Sequence, residues 1–214
     1  MQKPKAIIFD LDGVLTDTSE YHYLAWKRLA DDEGIPFTHQ ENDEYLRGVS
    51  RRESLMYIIR GRNYSEAQIQ EMMDRKNRYY NEMIKSMTPN DLVAGGRDLL
   101  SEIREAGIKV AIASGSKNCR IVLDHLGIMN YFDGVADGYS VVNSKPAPDL
   151  FVYAAGLVQI PTPDCLVVED ADAGIEAIKT AGMQALGIGR KERFHRADKV
   201  LPTLATTHLK DLLS

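Results

Sequence analysis

A chain of 214 residues, 44% hydrophobic and 27% charged, can bury a core the size of one large domain or a domain with an insertion, which excludes wholesale disorder. Its 26 basic and 31 acidic side chains leave a net charge of −5, the wrong balance for a protein devoted to nucleic-acid phosphates. No apolar run reaches the roughly 18–20 residues of a membrane span, the segment before Asp10 is too short for a secretion signal, and Cys119 and Cys165 stand far apart, so a cytoplasmic protein is expected.

In chain order, the first element is the apolar run Ala6–Phe9, followed by Asp10-Leu11-Asp12-Gly13. From Thr16 to Ser86 the patterning is helical. Ser50-Arg51-Arg52-Glu53 and Ser65-Glu66-Ala67-Gln68 are capping boxes, each predicting a helix start. Behind the second box, Ile69, Met72, Met73, Lys76, Tyr80, Met83, Ile84 and Met87 keep the spacing of one amphipathic helix, with Pro89 just beyond. Leu99, Leu100, Ile103 and Ala106 then mark a helix stopped by Gly107, ahead of a second strand at Val110–Ala113. Ile121, Val122, Leu123 and Leu126 mark another helix, stopped by Gly127, and a further one is expected to begin near Pro148. Cys165–Val168 and Gln184–Ile188 complete a set of four strands. All four are apolar throughout rather than alternating, as in a parallel sheet covered on both faces. The expected fold is therefore α/β, a Rossmann-like parallel core of residues 1–15 and 87–214 with an inserted α-helical cap of residues 16–86.

In such a sheet the carboxyl ends of the strands share one edge, and ligands bind there. The segments falling at that edge are Asp10-Leu11-Asp12-Gly13, Ser114-Gly115-Ser116-Lys117-Asn118, Asn143-Ser144-Lys145-Pro146 and Glu169-Asp170-Ala171-Asp172. Gathering Asp10, Asp12, Glu169 and Asp170 without a cation would be costly, and all-oxygen ligands point to a hard ion, Mg²⁺. Carboxylates, a metal, a lysine and a Ser/Gly turn together make a phosphoryl-transfer site. Asp10 would attack phosphorus, Asp12 would serve as acid and base, Lys145 would neutralise phosphate oxygens, and Ser114 with the backbone at Gly115 would cradle them.

These four segments, read in order, resemble the motifs of the haloacid dehalogenase superfamily, and the helical insertion after the first resembles its subgroup with a small helical cap. Within that subgroup the likeness is to the β-phosphoglucomutase family and runs almost end to end. It is carried by Thr16-Asp17-Thr18-Ser19-Glu20-Tyr21-His22 with Ala25-Trp26, by Gly48-Val49-Ser50-Arg51 with Ser54, by Arg75-Lys76-Asn77, and by Ser114 to Asn118. The resemblance implies a Mg²⁺-dependent mutase that interconverts β-D-glucose 1-phosphate and glucose 6-phosphate through an aspartyl-phosphate at Asp10. Glucose 1,6-bisphosphate would be intermediate and primer. It further implies that Asp12 lends its backbone carbonyl to the metal held by Asp10, Glu169 and Asp170. Arg51 with Ser116, Lys117 and Asn118 would hold the second phosphate, Ser54 would line the substrate site, and Thr18, His22 and Lys76 would couple cap closure to Asp12. The expected partner is a small phosphorylated sugar, with no nucleic acid and no membrane, for a monomer.

Two alternatives share the same edge of acids: a sugar-phosphate phosphatase, in which water discharges Asp10, and a receiver-like phosphoacceptor module. The cap argues against the second, since a signalling switch has no use for a lid. Asp172 is read as an acid complementing a helix N-terminus, Trp26 as packing, and Arg190, Lys191, Arg193, His195 and Arg196 as a solvated basic loop.

Overall fold

In the computed structural model, which describes residues 3–46 and 49–214, the four apolar runs are strands. They are β1 (Ala6–Phe9), β2 (Lys109–Ala113), β4 (Cys165–Glu169) and β5 (Gln184–Ile188), joined by two strands the sequence did not announce, β3 (Gly134–Ala136) and β6 (Lys199–Leu201). Gly48, one of the residues quoted for the family resemblance, lies outside the described residues. Neighbouring strands pair in parallel in the order β3-β2-β1-β4-β5-β6. Both new strands are three residues long and sit at the two edges, where burial on only part of the strand leaves no continuous apolar run to read.

The central strands explain their own composition. Ala6 and Ile8 of β1, Ala111 and Ala113 of β2, and Cys165 and Val167 of β4 share one buried cluster with Leu150, Phe151, Ala154, Ile175 and Ile178. Those last residues belong to α7 (Asp149–Leu157) and α8 (Asp172–Thr180). The alternate residues Ile7, Phe9, Val110 and Ile112 point to the other face and are equally buried. The order runs outward from β1 through β2 to β3 and resumes at β4 on its opposite side. The crevice at the carboxyl ends of β1 and β4 is therefore the switch point where such sheets bind ligands.

The chain divides into two units, Met1–Asp17 with Met87–Ser214, and Thr18–Ser86. In the second unit, α1 (Ser19–Asp32) and α3 (Arg51–Ile58) pack on α4 (Glu66–Ile84), with α2 (His39–Tyr45) between them in sequence. Trp26, Leu29, Leu55, Ile58, Ile69 and Met72 form its core, so Trp26 is packing. Both expected capping boxes are formed, Ser50 Oγ accepting from the Glu53 N–H at 3.3 Å and Ser65 Oγ from the Gln68 N–H at 3.4 Å. The long amphipathic helix stops at Ile84, three residues short of Met87. Thr88 and Asp91 build a capping box of their own around a 3-10 turn at Pro89–Asp91, and buried Met87 belongs to the first unit.

In the first unit, α5 (Gly96–Glu105) packs on β2, and Gly107 adopts positive φ just past its end. α6 (Cys119–His125) follows the turn after β2, and α9 (Leu209–Leu213) closes the chain. The basic stretch after β5 is tied down rather than simply solvated: Arg193 pairs with Asp172 at 3.0 Å, Arg196 pairs with Glu176, and Phe194 is buried. No helix among the described residues is long and apolar enough to cross a membrane.

Candidate active site

Asp10 is the first residue past β1, and its N–H donates to the Val168 carbonyl of β4 at 2.9 Å, so the ladder continues into the site. Glu169 is the last residue of β4 and is 1% exposed; Asp10 is 6% exposed. Lys145, in the loop between β3 and α7, joins them, its Nζ donating to Asp10 Oδ1 at 2.9 Å and to Glu169 Oε2 at 2.7 Å. The other Glu169 oxygen accepts from the N–H groups of Asp170 and Ala171 at 3.2 and 3.0 Å. Carboxylate oxygens of Asp10, Glu169 and Asp170 all lie within 4.8 Å of one another. Residues from the two central strands and two loops, far apart in sequence, thus converge on one crevice.

Electrostatics fixes what this group requires. Burial pushes the Glu169 carboxyl up to about 8, with Asp10 and Asp170 adding to the rise and Lys145 opposing it. Burial works against the charge of Lys145, but the Asp10 and Glu169 carboxylates outweigh it and raise its pKa. Three carboxyl groups gather around one ammonium that bonds only Asp10 and Glu169, and their oxygens suit a hard divalent cation, whose charge would offset the cost of burying them together. The Asp12 carboxylate is not one of the three converging groups, which is compatible with its lending the metal only a backbone carbonyl.

Two glycines make the crevice possible. Gly13, at φ +82°, turns the chain after β1, its N–H reaching the Thr16 carbonyl at 2.7 Å, and a Cβ on it would overlap the Asp170 carboxylate. Gly174, in the first turn of α8, leaves the volume that the Glu169 carboxylate fills. Motif and spacing do not single out Gly174; a glycine inside an otherwise good helix is the signal that could have found it. Asp172 of the same turn pairs with Arg193, away from the acid cluster.

After β2, the Ser114 N–H donates to Ala136 at 3.0 Å while its buried hydroxyl accepts from the Ser116 N–H at 3.1 Å. Ser116 Oγ accepts in turn from the Asn118 N–H at 3.2 Å. Gly115 and Lys117 are the exposed residues of this turn. Cys119, buried just behind it, has its thiol raised by burial and then by Asp12 and Asp10, so it stays protonated.

The expected residues of the second unit form a separate constellation. His22 on α1 and Lys76 on α4 meet at 2.8 Å between Nδ1 and Nζ, and the imidazole stacks on Tyr80 with 4.2 Å between centroids. The Lys76 ammonium, 2% exposed, also faces Trp26 at 4.8 Å and Tyr80 at 5.0 Å. Burial, then Lys76, then Arg51 hold the His22 pKa well below the usual histidine value, so the ring is neutral and its Nδ1 accepts a hydrogen bond from the Lys76 ammonium. Arg51 opens α3 directly after its capping box; Thr18 and Ser54 are buried.

The family model for haloacid dehalogenase-like hydrolases matches residues 4–182. β-Phosphoglucomutase of Bacillus subtilis is 44% identical over 201 residues, covering 92% of this chain and 88% of that protein. The phosphorylated carbohydrates phosphatase of Thermotoga maritima is 28% identical, covering 85% and 83%. Among solved structures, the β-phosphoglucomutase of Clostridium difficile superposes with a TM-score of 0.92 at 38% identity, covering 98% of this chain and 96% of that one.

Proposed function

The chain belongs to the haloacid dehalogenase-like hydrolase family, and from that premise we propose that it interconverts β-D-glucose 1-phosphate and glucose 6-phosphate, the reaction of a β-phosphoglucomutase. Asp10 is the nucleophile: an oxygen of its carboxylate attacks a phosphoryl group of glucose 1,6-bisphosphate, the bond from phosphorus to the sugar oxygen breaks, and Asp12 protonates that leaving oxygen. In the return step the hydroxyl of a glucose 1-phosphate attacks the aspartyl-phosphate, giving up its proton to Asp12 and regenerating the bisphosphate. Lys145 holds Asp10 in place before attack and neutralises phosphoryl oxygens during it, and the Ser114 turn binds the same oxygens.

Asp10, Glu169 and Asp170, with the Asp12 carbonyl, would hold Mg²⁺, which when bound supplies positive charge to the transferring phosphoryl group. Arg51 with Ser116, Lys117 and Asn118 binds the phosphate not in transfer, and Ser54 lines the sugar site. An aspartyl-phosphate persists only where water is excluded, a task this reading gives to closure of the helical unit, which Thr18, His22 and Lys76 couple to the position of Asp12. The protein acts as a cytoplasmic monomer, primed by glucose 1,6-bisphosphate.

The observation carrying the mutase reading is the 44% identity to a β-phosphoglucomutase across 92% of the chain, against 28% to the phosphatase. Purified protein given β-glucose 1-phosphate, Mg²⁺ and a trace of bisphosphate should yield glucose 6-phosphate. Free phosphate as the dominant product would establish the phosphatase instead. Arg51→Ala should impair the mutase far more than hydrolysis of a simple aryl phosphate, and equal losses would remove the second anion site.

A further inference from the structure

Among the described residues Lys117 forms no ion pair. Its side chain is exposed on the turn after β2, and its ammonium lies 5.0 Å from the centroid of the Tyr139 ring. Tyr139 is 71% exposed, so burial does not hold the ring there. Its backbone, by contrast, is anchored. Asp137, 7% exposed, takes Arg120 Nε at 2.9 Å and the Tyr139 N–H at 3.0 Å, and its own N–H donates to Ser140 Oγ at 2.9 Å. The Gly138 N–H donates to the Ser116 carbonyl at 3.1 Å, and any Cβ at Gly138 would strike the Gly115 carbonyl. Residues 137–140 are thereby clamped to the turn that bears Lys117, which sets the Tyr139 backbone beside the lysine, with the ring meeting its ammonium.

An acidic partner would also fix a lysine, but it would cancel the charge. An aromatic face orients an ammonium and leaves its charge available to an anion. We infer that Tyr139 is a positioning residue for Lys117, holding the ammonium with its charge intact for the phosphate of the sugar substrate that is not being transferred. This rests on the mutase reading above and adds to it a residue outside the expected set.

Steady-state turnover of β-glucose 1-phosphate, primed with glucose 1,6-bisphosphate, tests it in Tyr139→Phe, Tyr139→Leu, Lys117→Ala and the Lys117→Ala/Tyr139→Leu double variant. Tyr139→Leu should raise KM about two- to five-fold, the worth of a cation–π contact at an exposed site, with kcat changed by less than about twofold. Tyr139→Phe keeps the ring face and should keep the wild-type KM. In the Lys117→Ala background the leucine should add nothing. Melting midpoints check that each variant is folded. An active wild type with an unmoved KM in Tyr139→Leu, a loss confined to kcat, a phenylalanine variant as impaired as the leucine one, or additive effects in the double variant would each overturn the role of Tyr139 and leave the mutase reading standing. A wild type releasing only inorganic phosphate would overturn both.

Discussion

Replacing Gly174 by alanine tests the acid cluster through one carbon atom. A Cβ there would overlap Cγ, Cδ and Oε2 of Glu169, whose side chain is almost wholly buried and cannot move without giving up partners. Those partners are the Lys145 ammonium at 2.7 Å and the N–H groups of Asp170 and Ala171 at 3.2 and 3.0 Å. Hydrogen bonds to a charged group contribute about 1.5–3 kcal/mol each, so losing one or two costs about 3 kcal/mol. Alanine's better helix propensity offsets about 1 kcal/mol of this. The net, about 2 kcal/mol, corresponds to a fall of about 4–8 °C in melting midpoint for a chain of this length. Displacing a carboxylate that would hold the metal should also weaken Mg²⁺ binding by about tenfold or more. Gly156, exposed in the last turn of α7 with nothing within 4 Å of the place a Cβ would take, is the control: Gly156→Ala should stabilise by up to about 1 kcal/mol. Thermal melts with chelator and with Mg²⁺, together with calorimetric metal titration, read both effects. A Gly174→Ala protein that melts at or above the wild-type midpoint and binds Mg²⁺ as tightly would refute the idea that a glycine in α8 is what makes room for Glu169.

Lys145→Met removes the ammonium shared by Asp10 and Glu169 and should destabilise the metal-free protein by about 3 kcal/mol, the lower end for breaking a buried pair, because Glu169 can take up a proton. Added Mg²⁺ should recover part of that loss in a melting experiment; an equal deficit with and without metal would contradict the shared-charge picture. His22 gives a pH dependence of defined sign. Its folded pKa is depressed, so its contribution to stability is present in full above the unfolded value near 6.5 and is lost as pH falls below it, when only the unfolded chain takes up the proton. Between pH 7.5 and 5.5 that loss is about 1.4 kcal/mol, read as the difference in denaturant-derived stability slopes between wild type and His22→Gln. Identical slopes would show that the ring takes up its proton as readily in the folded unit as in the unfolded chain, and would refute the depressed pKa.

What the sequence made legible follows from local physics. A strand buried on both faces must be apolar at every position, so β1, β2, β4 and β5 stood out as runs; β3 and β6, at the edges and three residues long, carried no such constraint. Helix starts were visible where a serine and an acid or amide three residues on satisfy each other's backbone groups, and stops where glycine can take positive φ, as at Gly107 and Gly127. Helical spacing alone could not end α4. Met87 continues the periodicity of Ile84, but Thr88 and Asp91 start a new turn that competes with the helix.

The acid cluster was legible for a different reason: a parallel sheet converts order along the chain into neighbours along one edge, so residues that follow strands meet whatever their separation. That rule places side chains at the edge but is silent about the room they need. Gly174 meets Glu169 across the local turn from β4 into α8, whereas Gly13 lies opposite Asp170 because β1 and β4 are adjacent, a pairing no single segment encodes. The same holds for Tyr139 and Lys117, whose contact depends on Gly138 approaching the Ser116 carbonyl between β3 and β2. Charged and nucleophilic groups announce a reaction by residue type, whereas the groups that set their positions are glycines, a clamped aspartate and an exposed aromatic. Those are recognisable only from the backbone that surrounds them, so substitutions there separate geometry from chemistry in a way that substitution of Asp10 cannot.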